Sequence, residues 1–393
     1  MSDLSVSNIL DIRQRLRRMG AQPVHEQRIL RLWSQAKSQQ SGRRPLDSFM
    51  PQALREDLPV LTRQLAALLS LQSTHPAADG SVRWLLALQD GQTIETVGLP
   101  RDGLCVSSQV GCAVACVFCM TGREGLIRQV GSAEIVAQVA FARQHRPVKK
   151  VVFMGMGEPA HNLENVMEAI DVLGSVGNIA HKSLVFSTVG DPRFFERLPL
   201  GAVKPALALS LHSSRADLRF QLLPRAPKMT PEELVAAAEI YAQQTGYPIQ
   251  YQWTLIEGVN DSPEEIDGIV RLLKGKYALM NMIPYNTVPD LPYQRPSWER
   301  AASMARTLHQ LGILTKLRNS AGQDVEGGCG QLRARQLQAA RQERPQTVHF
   351  LGHKPLDKAV PNMTTAPSNS MPNVTDLSQK ITPSMSLKKS QEI

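Results

Sequence analysis

Cys112, Cys116 and Cys119 stand within eight residues in the pattern Cys-x3-Cys-x2-Cys. Thiolates at that spacing can wrap one compact metal centre from a single loop, and three ligands leave a position open. A structural zinc site ordinarily takes four protein ligands. An iron–sulfur cluster held by three cysteines leaves one iron free to take a substrate. The spacing alone leaves three alternatives: zinc, an iron–sulfur centre, or buried structural cysteines. Cys105 and Cys329 bring the total to five, an odd count that does not look like a secreted disulfide framework. Cys105 reads as a strand cysteine. Cys329, in GGCGQL, sits among glycines and reads as exposed. The histidines give no separate metal signal.

The elements that would position these residues follow from periodicity. Between Leu104 and Leu317 the chain alternates β-rich runs with helical patterns. Strands are expected at LCVSSQ, KKVVFMG, KSLVFST, PALALSLH, IQYQWTLI and ALMNMIPY. Helical stretches such as SAEIVAQVAFARQH and TPEELVAAAEIYAQ separate them. Six β/α units in succession imply an α/β fold with a parallel sheet, either open and doubly wound or a full or partial barrel. Both architectures bind ligands at the C-terminal ends of the strands. Gly157-Glu158 (GMGEP), Ser187 (STVG), Ser210-Leu211-His212 (SLH) and Asn286 (PYN) all fall there. A lone Ser or Asn at such a place would more often cap the next helix. Residues 1–75 read as helical, His75–Gly80 as a linker, and SVRWLLALQDGQTIETVGLP as a β-hairpin turning at Asp90-Gly91. From 345 to 393 aromatic residues cease after Phe350 and Ser, Thr, Pro, Asn and Met dominate, so a disordered tail is expected.

CVSSQVGCAVACVFCMTG resembles the radical S-adenosylmethionine (SAM) superfamily. With GMGEP, STVG, SLH, PYN and CGQL in order, residues 95–332 resemble the RlmN/Cfr family of RNA adenosine methyltransferases. That resemblance implies a partial (β/α)6 barrel at 104–344, a hairpin extension at 76–103, a small RNA-binding helical domain at 1–75 and the tail at 345–393. It implies a 4Fe–4S cluster on Cys112, Cys116 and Cys119 whose fourth iron chelates SAM. Gly157, Glu158, Ser187, Ser210, Leu211, His212 and Asn286 would bind the SAM. Glu158 can accept hydrogen bonds from its ammonium. Cys329 would carry a methyl group as an S-methylcysteine, Glu95 would accept the ring proton, and Cys105 would resolve the adduct through a transient disulfide with Cys329. Two SAM would be used per turnover, with a flavodoxin or ferredoxin as electron donor. Because C2 and C8 of adenine are electrophilic, ordinary transfer of an electrophilic methyl fails there; C2 is favoured by the resemblance, and C8 stays open.

Composition bounds the rest. Over 393 residues, 44 Lys and Arg against 35 Asp and Glu give +9, which suits a polyanion such as rRNA or tRNA. Arginines crowd the first 44 residues. Aromatic content of 5% gives no sign of extensive base stacking. No apolar run approaches ~18 residues, which excludes a spanning helix from the pattern. No apolar signal core stands near the start, and a cytoplasmic monomer is expected. Arg128-Gln129-Val130, Ser213-Ser214 and LLPRAP depart from the family's common forms without removing a chemical residue. Two rivals differ in class. A radical SAM enzyme for a small molecule or protein would need neither Cys105 nor Cys329. A non-catalytic iron–sulfur RNA-binding protein would not need the strand-end groups.

Overall fold

A computed structural model describes residues 6–288, 291–322, 328 and 330–342. Four helices come first: α1 (Ile9–Arg18), α2 (Pro23–Ser34), α3 (Leu46–Phe49) and α4 (Gln52–Ala66). An antiparallel meander follows, β1 (Leu69–Pro76), β2 (Val82–Leu88) and β3 (Thr93–Leu99), leading into β4 (Gly103–Cys105). A separate hairpin, β5 (Gln109–Gly111) with β6 (Leu126–Gln129), leaves the main sheet and carries the three-cysteine loop at its tip.

Alternation then takes over. In order come α5 (Ser132–His145), β7 (Lys150–Phe153), α6 (Leu163–Ser175), β8 (Leu184–Thr188), α7 (Pro192–Arg197) and β9 (Ala206–Ser210). They are followed by α8 (Ala216–Leu222), α9 (Pro231–Thr245), β10 (Ile249–Leu255), α10 (Pro263–Leu273) and β11 (Ala278–Pro284). The last are α11 (Trp298–Gln310), β12 (Thr315–Leu317) and α12 (Gln331–Gln342). One sheet runs β1-β2-β3-β4-β7-β8-β9-β10-β11-β12, parallel from β4 onward and never returning to β1. This is the partial (β/α)6 barrel, with β12 added at its end. None of the helices described is long and apolar enough to cross a membrane.

Local sequence accounts for the units. Thr230-Pro231-Glu232-Glu233 opens α9 with a capping box: Thr230 accepts from the Glu233 N–H, and the Glu233 carboxylate accepts from the Thr230 N–H. β10 alternates buried and half-buried residues along IQYQWTL. In α5, ten of 14 residues are buried, because the sheet covers one face and the N-terminal helices cover the other. Ile9, Ile12, Leu16 and Leu54 share one core with Ile135 and Val139 of α5 and Leu173 of α6. Hydrogen bonds tie the same seam: Ile9 N to Ser132 Oγ at 2.8 Å, and Arg143 Nη1 to Ser34 O at 2.7 Å. The N-terminal helices and the barrel thus pack as one compact unit.

Two details differ from the periodicity. LSLQSTHP forms β1, within the stretch expected to be helical. It is an edge strand whose residues are mostly exposed, so no alternation marks it. LCVSSQ divides into β4 and the start of β5, because the Ser107 hydroxyl donates to Glu95 O (2.6 Å) and Gln138 Oε1 takes the Ser107 N–H (2.8 Å).

Candidate active site

The strand ends and the cysteine hairpin meet at one cavity of about 300 Å³. Cys112, Cys116 and Cys119 line it from the hairpin; Gly157, Glu158 and Ser187 line it from the β7 and β8 ends. Ser210, His212 and Asn286 line it from the β9 and β11 ends. Leu211 does not. Its side chain is fully buried and its N–H donates to Gln252 O at 3.0 Å.

Within the loop, Cys112 N donates to Gly125 O (2.9 Å) and closes the hairpin neck, while Cys119 N donates to Cys116 O (3.0 Å). Burial pushes the Cys112 thiol up to about 12. Cys116 is raised by burial, then by Cys119, Cys112 and Glu158. Thiols that raise one another need a positive centre to become thiolates. Among the described residues no three His, Cys, Asp or Glu are gathered as a single-ion site. A loop of one buried and two half-buried cysteines facing a cavity with strand-end donors fits a three-cysteine cluster, and those three residues would hold it.

Glu158 is buried, with Oε1 accepting from Ala160 N and Oε2 from Val189 N, each at 3.0 Å. Burial raises its carboxyl to about 7, against the pull of Thr188 and these backbone donors. Gly157 is required beside it. Its φ is +102°, and a Cβ there would lie 2.5 Å from Gln109 Cβ and 2.7 Å from Gln109 N. That close approach sets Glu158 N on Gln109 Oε1 at 2.7 Å. His212 holds φ +60°; its Nδ1 accepts from Thr254 N at 3.0 Å and burial pushes it down to about 3. It is therefore a neutral wall, with its ring edge-on to Phe118 at 4.9 Å. Asn286 Nδ2 donates to Ser320 Oγ at 2.7 Å.

Glu95 and Cys105 lie outside that lining. Their register places them together: Arg83 pairs with Val97, and Val97 with Cys105, so residues 83, 95, 97 and 105 share one face of the sheet. Glu95 Oε2 accepts from Arg83 Nη1 (3.2 Å), and Oε1 accepts from Arg333 N (3.0 Å) at the start of α12. Burial raises the Glu95 carboxyl, opposed first by the Arg333 N–H and then by Arg83. Burial also pushes the Cys105 thiol up to about 11, with Arg83 pulling it back. Arg83 reaches Gly328 O at 3.4 Å and Ala321 O at 3.2 Å. Gly328 itself lines the cysteine cavity. Cys329 lies outside the described residues. Its neighbour Gly330, at φ +83°, has space for no Cβ: one would stand 3.0 Å from the Thr121 backbone N.

Sequence reasoning missed Arg83 and Gln109. Arg83 looks like an outward hairpin charge, and only its pairing opposite Val97 in a sheet buried on both faces reveals it.

A SAM-binding barrel with a three-cysteine hairpin at the strand ends defines a radical SAM protein, and the radical SAM superfamily profile matches residues 106–273. A probable RNA methyltransferase of Leptothrix cholodnii is 73% identical over 326 residues, 83% of this chain and 94% of that protein. One of Azoarcus sp. (strain BH72) is 68% identical over 338 residues, 86% and 97%. The crystal structure of a radical SAM methyltransferase from Sphaerobacter thermophilus, 35% identical, superposes with a TM-score of 0.71, covering 82% of this chain and 97% of that one. The chain belongs to the radical SAM RNA methyltransferases.

Proposed function

We propose that the protein methylates a ring carbon of adenosine, C2 in preference to C8, in rRNA or tRNA, through an S-methylcysteine on Cys329 and with two SAM per turnover. The observation that carries this reading is the convergence of Glu95 and Arg83 on the backbone of residues 321, 328 and 333, which bracket Cys329, with Cys105 on the same sheet face and within the electrostatic reach of both. A radical SAM enzyme for another substrate class would have no use for a buried base and a second thiol beside that loop.

Cys112, Cys116 and Cys119 would hold a 4Fe–4S cluster, which would supply an electron for cleavage of SAM to the 5′-deoxyadenosyl radical. Glu158 and the polar groups at the β8, β9 and β11 ends orient the SAM. Cys329 holds the methyl group as a thioether; the 5′-deoxyadenosyl radical takes a hydrogen atom from it to become 5′-deoxyadenosine, the carbon radical adds to the ring, and the ring's surplus electron passes to a one-electron acceptor such as the oxidised electron donor. Glu95 takes the ring proton. Its desolvated carboxylate binds a proton more readily than one in water, and Arg83 and Arg333 N hold it in place. Cys105 then attacks the Cys329 sulfur: the S–S bond forms, the S–CH2 bond breaks, and the electron pair stays with the methylene, which takes up a proton. The N-terminal segment, residues 1–75, serves as an RNA-binding region. A cavity of about 800 Å³ lined by Arg31, Lys37, Arg43 and Arg44 supports that role, as does the charge of +9.

The test compares two single variants. Cys329→Ala yields neither methylated protein nor methylated RNA. Cys105→Ala accumulates RNA covalently attached to protein, a slow band in denaturing gels that RNase shortens. Normal turnover of Cys105→Ala without an adduct defeats the resolving role. Methylated RNA from Cys329→Ala defeats the whole mechanism.

A further inference from the structure

Among the described residues, Arg219 is the second-largest fully buried side chain, after Trp253. It lies on α8, where ADLRFQL would place an arginine on the surface if the helix were a simple outer layer. Instead the guanidinium reaches inward under the C-terminal ends of the strands. Nη2 donates to Val189 O and to Ser210 O (3.2 Å), and Nη1 to Met229 O (3.4 Å). Nε is buried without a partner. Each of these partners is a neutral carbonyl, and among the described residues no carboxylate stands within ion-pair distance of the guanidinium.

A buried cation of this kind costs several kcal/mol unless an anion faces it. Two acidic groups are near enough to act on its charge, Cys116 first and then Glu158. Glu158 already has both oxygens engaged by backbone N–H groups. The cysteine loop, by contrast, is fastened to Arg219's own helix. Val117 N donates to Leu222 O at 3.1 Å, Arg225 N donates to Val114 O at 3.3 Å, and Leu218 and Leu222 share one apolar cluster with Cys112 and Cys116. A 2+ iron–sulfur core on three thiolates carries one net negative charge and gains a second on one-electron reduction. A fixed cation in a low-dielectric setting favours the more negative state.

We propose that Arg219 is the built-in counter-cation of the cluster held by Cys112, Cys116 and Cys119, and that it keeps the cluster's reduction potential within reach of its electron donor. The inference rests on the cluster reading above. It assigns Arg219 a positioning and electrostatic role, not contact with the reacting atoms.

The experiment is an EPR-monitored redox titration of the anaerobically reconstituted full chain, without SAM or RNA and with dithionite as reductant. Arg219→Gln keeps hydrogen-bond donors and loses the charge. At the wild-type midpoint its reduced-to-oxidised ratio falls at least tenfold, a shift of about 59 mV for one electron. Arg219→Lys keeps the charge and stays within about threefold of wild type. A Gln variant that titrates like wild type, or a Lys variant that falls as far as Gln, overturns the proposal. If Arg219→Gln does not fold, Arg219→Ala is prepared with guanidinium or with urea, which fit the same carbonyls and differ in charge. Restoration by guanidinium alone supports the proposal; equal behaviour of the two overturns it. Failure of the wild-type chain to give a 4Fe–4S signal defeats the cluster reading itself and is seen before any variant is made.

Discussion

Glu158 has a carboxyl raised to about 7 from an ordinary value of 4.5, chiefly by burial. A raised folded pKa stabilises the ligand-free protein fully below about 4.5, and that contribution is lost as pH climbs through about 7. In the proposed function a bound SAM ammonium faces Glu158 and reverses the preference, because it favours the carboxylate. SAM binding below about pH 7 therefore releases a proton, and affinity drops by up to about tenfold per pH unit as pH falls. Glu158→Gln should bind SAM more weakly at pH 8 and lose that slope. Calorimetry of the reconstituted protein in two buffers of different ionisation heat reads the proton directly. A wild-type affinity that is flat between about pH 5.5 and 8 would show that Glu158 does not face the ammonium.

At the scale of elements, the hairpin that presents the cysteines stands on β5, and β5 leans on the turn after β7. Gly157 makes that approach possible, since a Cβ there would lie 2.5 Å from Gln109 Cβ. Gly157→Ala must push Gln109 and the hairpin neck outward, at a cost of about 1–3 kcal/mol for overpacking. The melting temperature should fall by about 2–4 °C for each kcal/mol of destabilisation, and iron bound per chain should fall with it. Iron content equal to wild type in a variant that melts earlier would separate the turn from the cluster loop. The six parallel strands, the Asp90-Gly91 hairpin and the three-cysteine loop were legible because hydrophobic runs, turn residues and cysteine spacing are local signals, whereas the β5–β6 hairpin that carries the loop was not, since its strands are only three and four residues long. β1 was not, since an exposed edge strand has no buried face to mark it, and β12 is only three residues long. Arg83 and Arg219 were invisible for a related reason. An arginine in a hairpin or on a helix reads as a solvated charge until pairing register and the second packing layer bury it.

For the whole molecule, the N-terminal helices have two separable jobs: they complete the core, and in the proposed function they hold RNA. Ile9, Ile12 and Leu16 are fully buried with α5 and α6, and each contributes about 1.5–3 kcal/mol on burial. A chain starting at Leu69 therefore exposes the outer face of α5 and should aggregate or melt far earlier, even with the barrel sequence intact. Arg43 and Arg44 are exposed on the other side of the same segment. Replacing both with Ser should leave the melting temperature within about 1 °C and the SAM cleavage seen without RNA unchanged, because both side chains are exposed and Arg44 only rests over the half-buried Phe49 ring at 5.8 Å. It should raise KM for RNA while kcat stays level. The slope of log affinity against log salt should shrink by about 0.7–0.9 for each phosphate that the protein no longer neutralises. An unchanged salt slope with unchanged KM would place the RNA on another face, and would leave the N-terminal helices with the packing role alone.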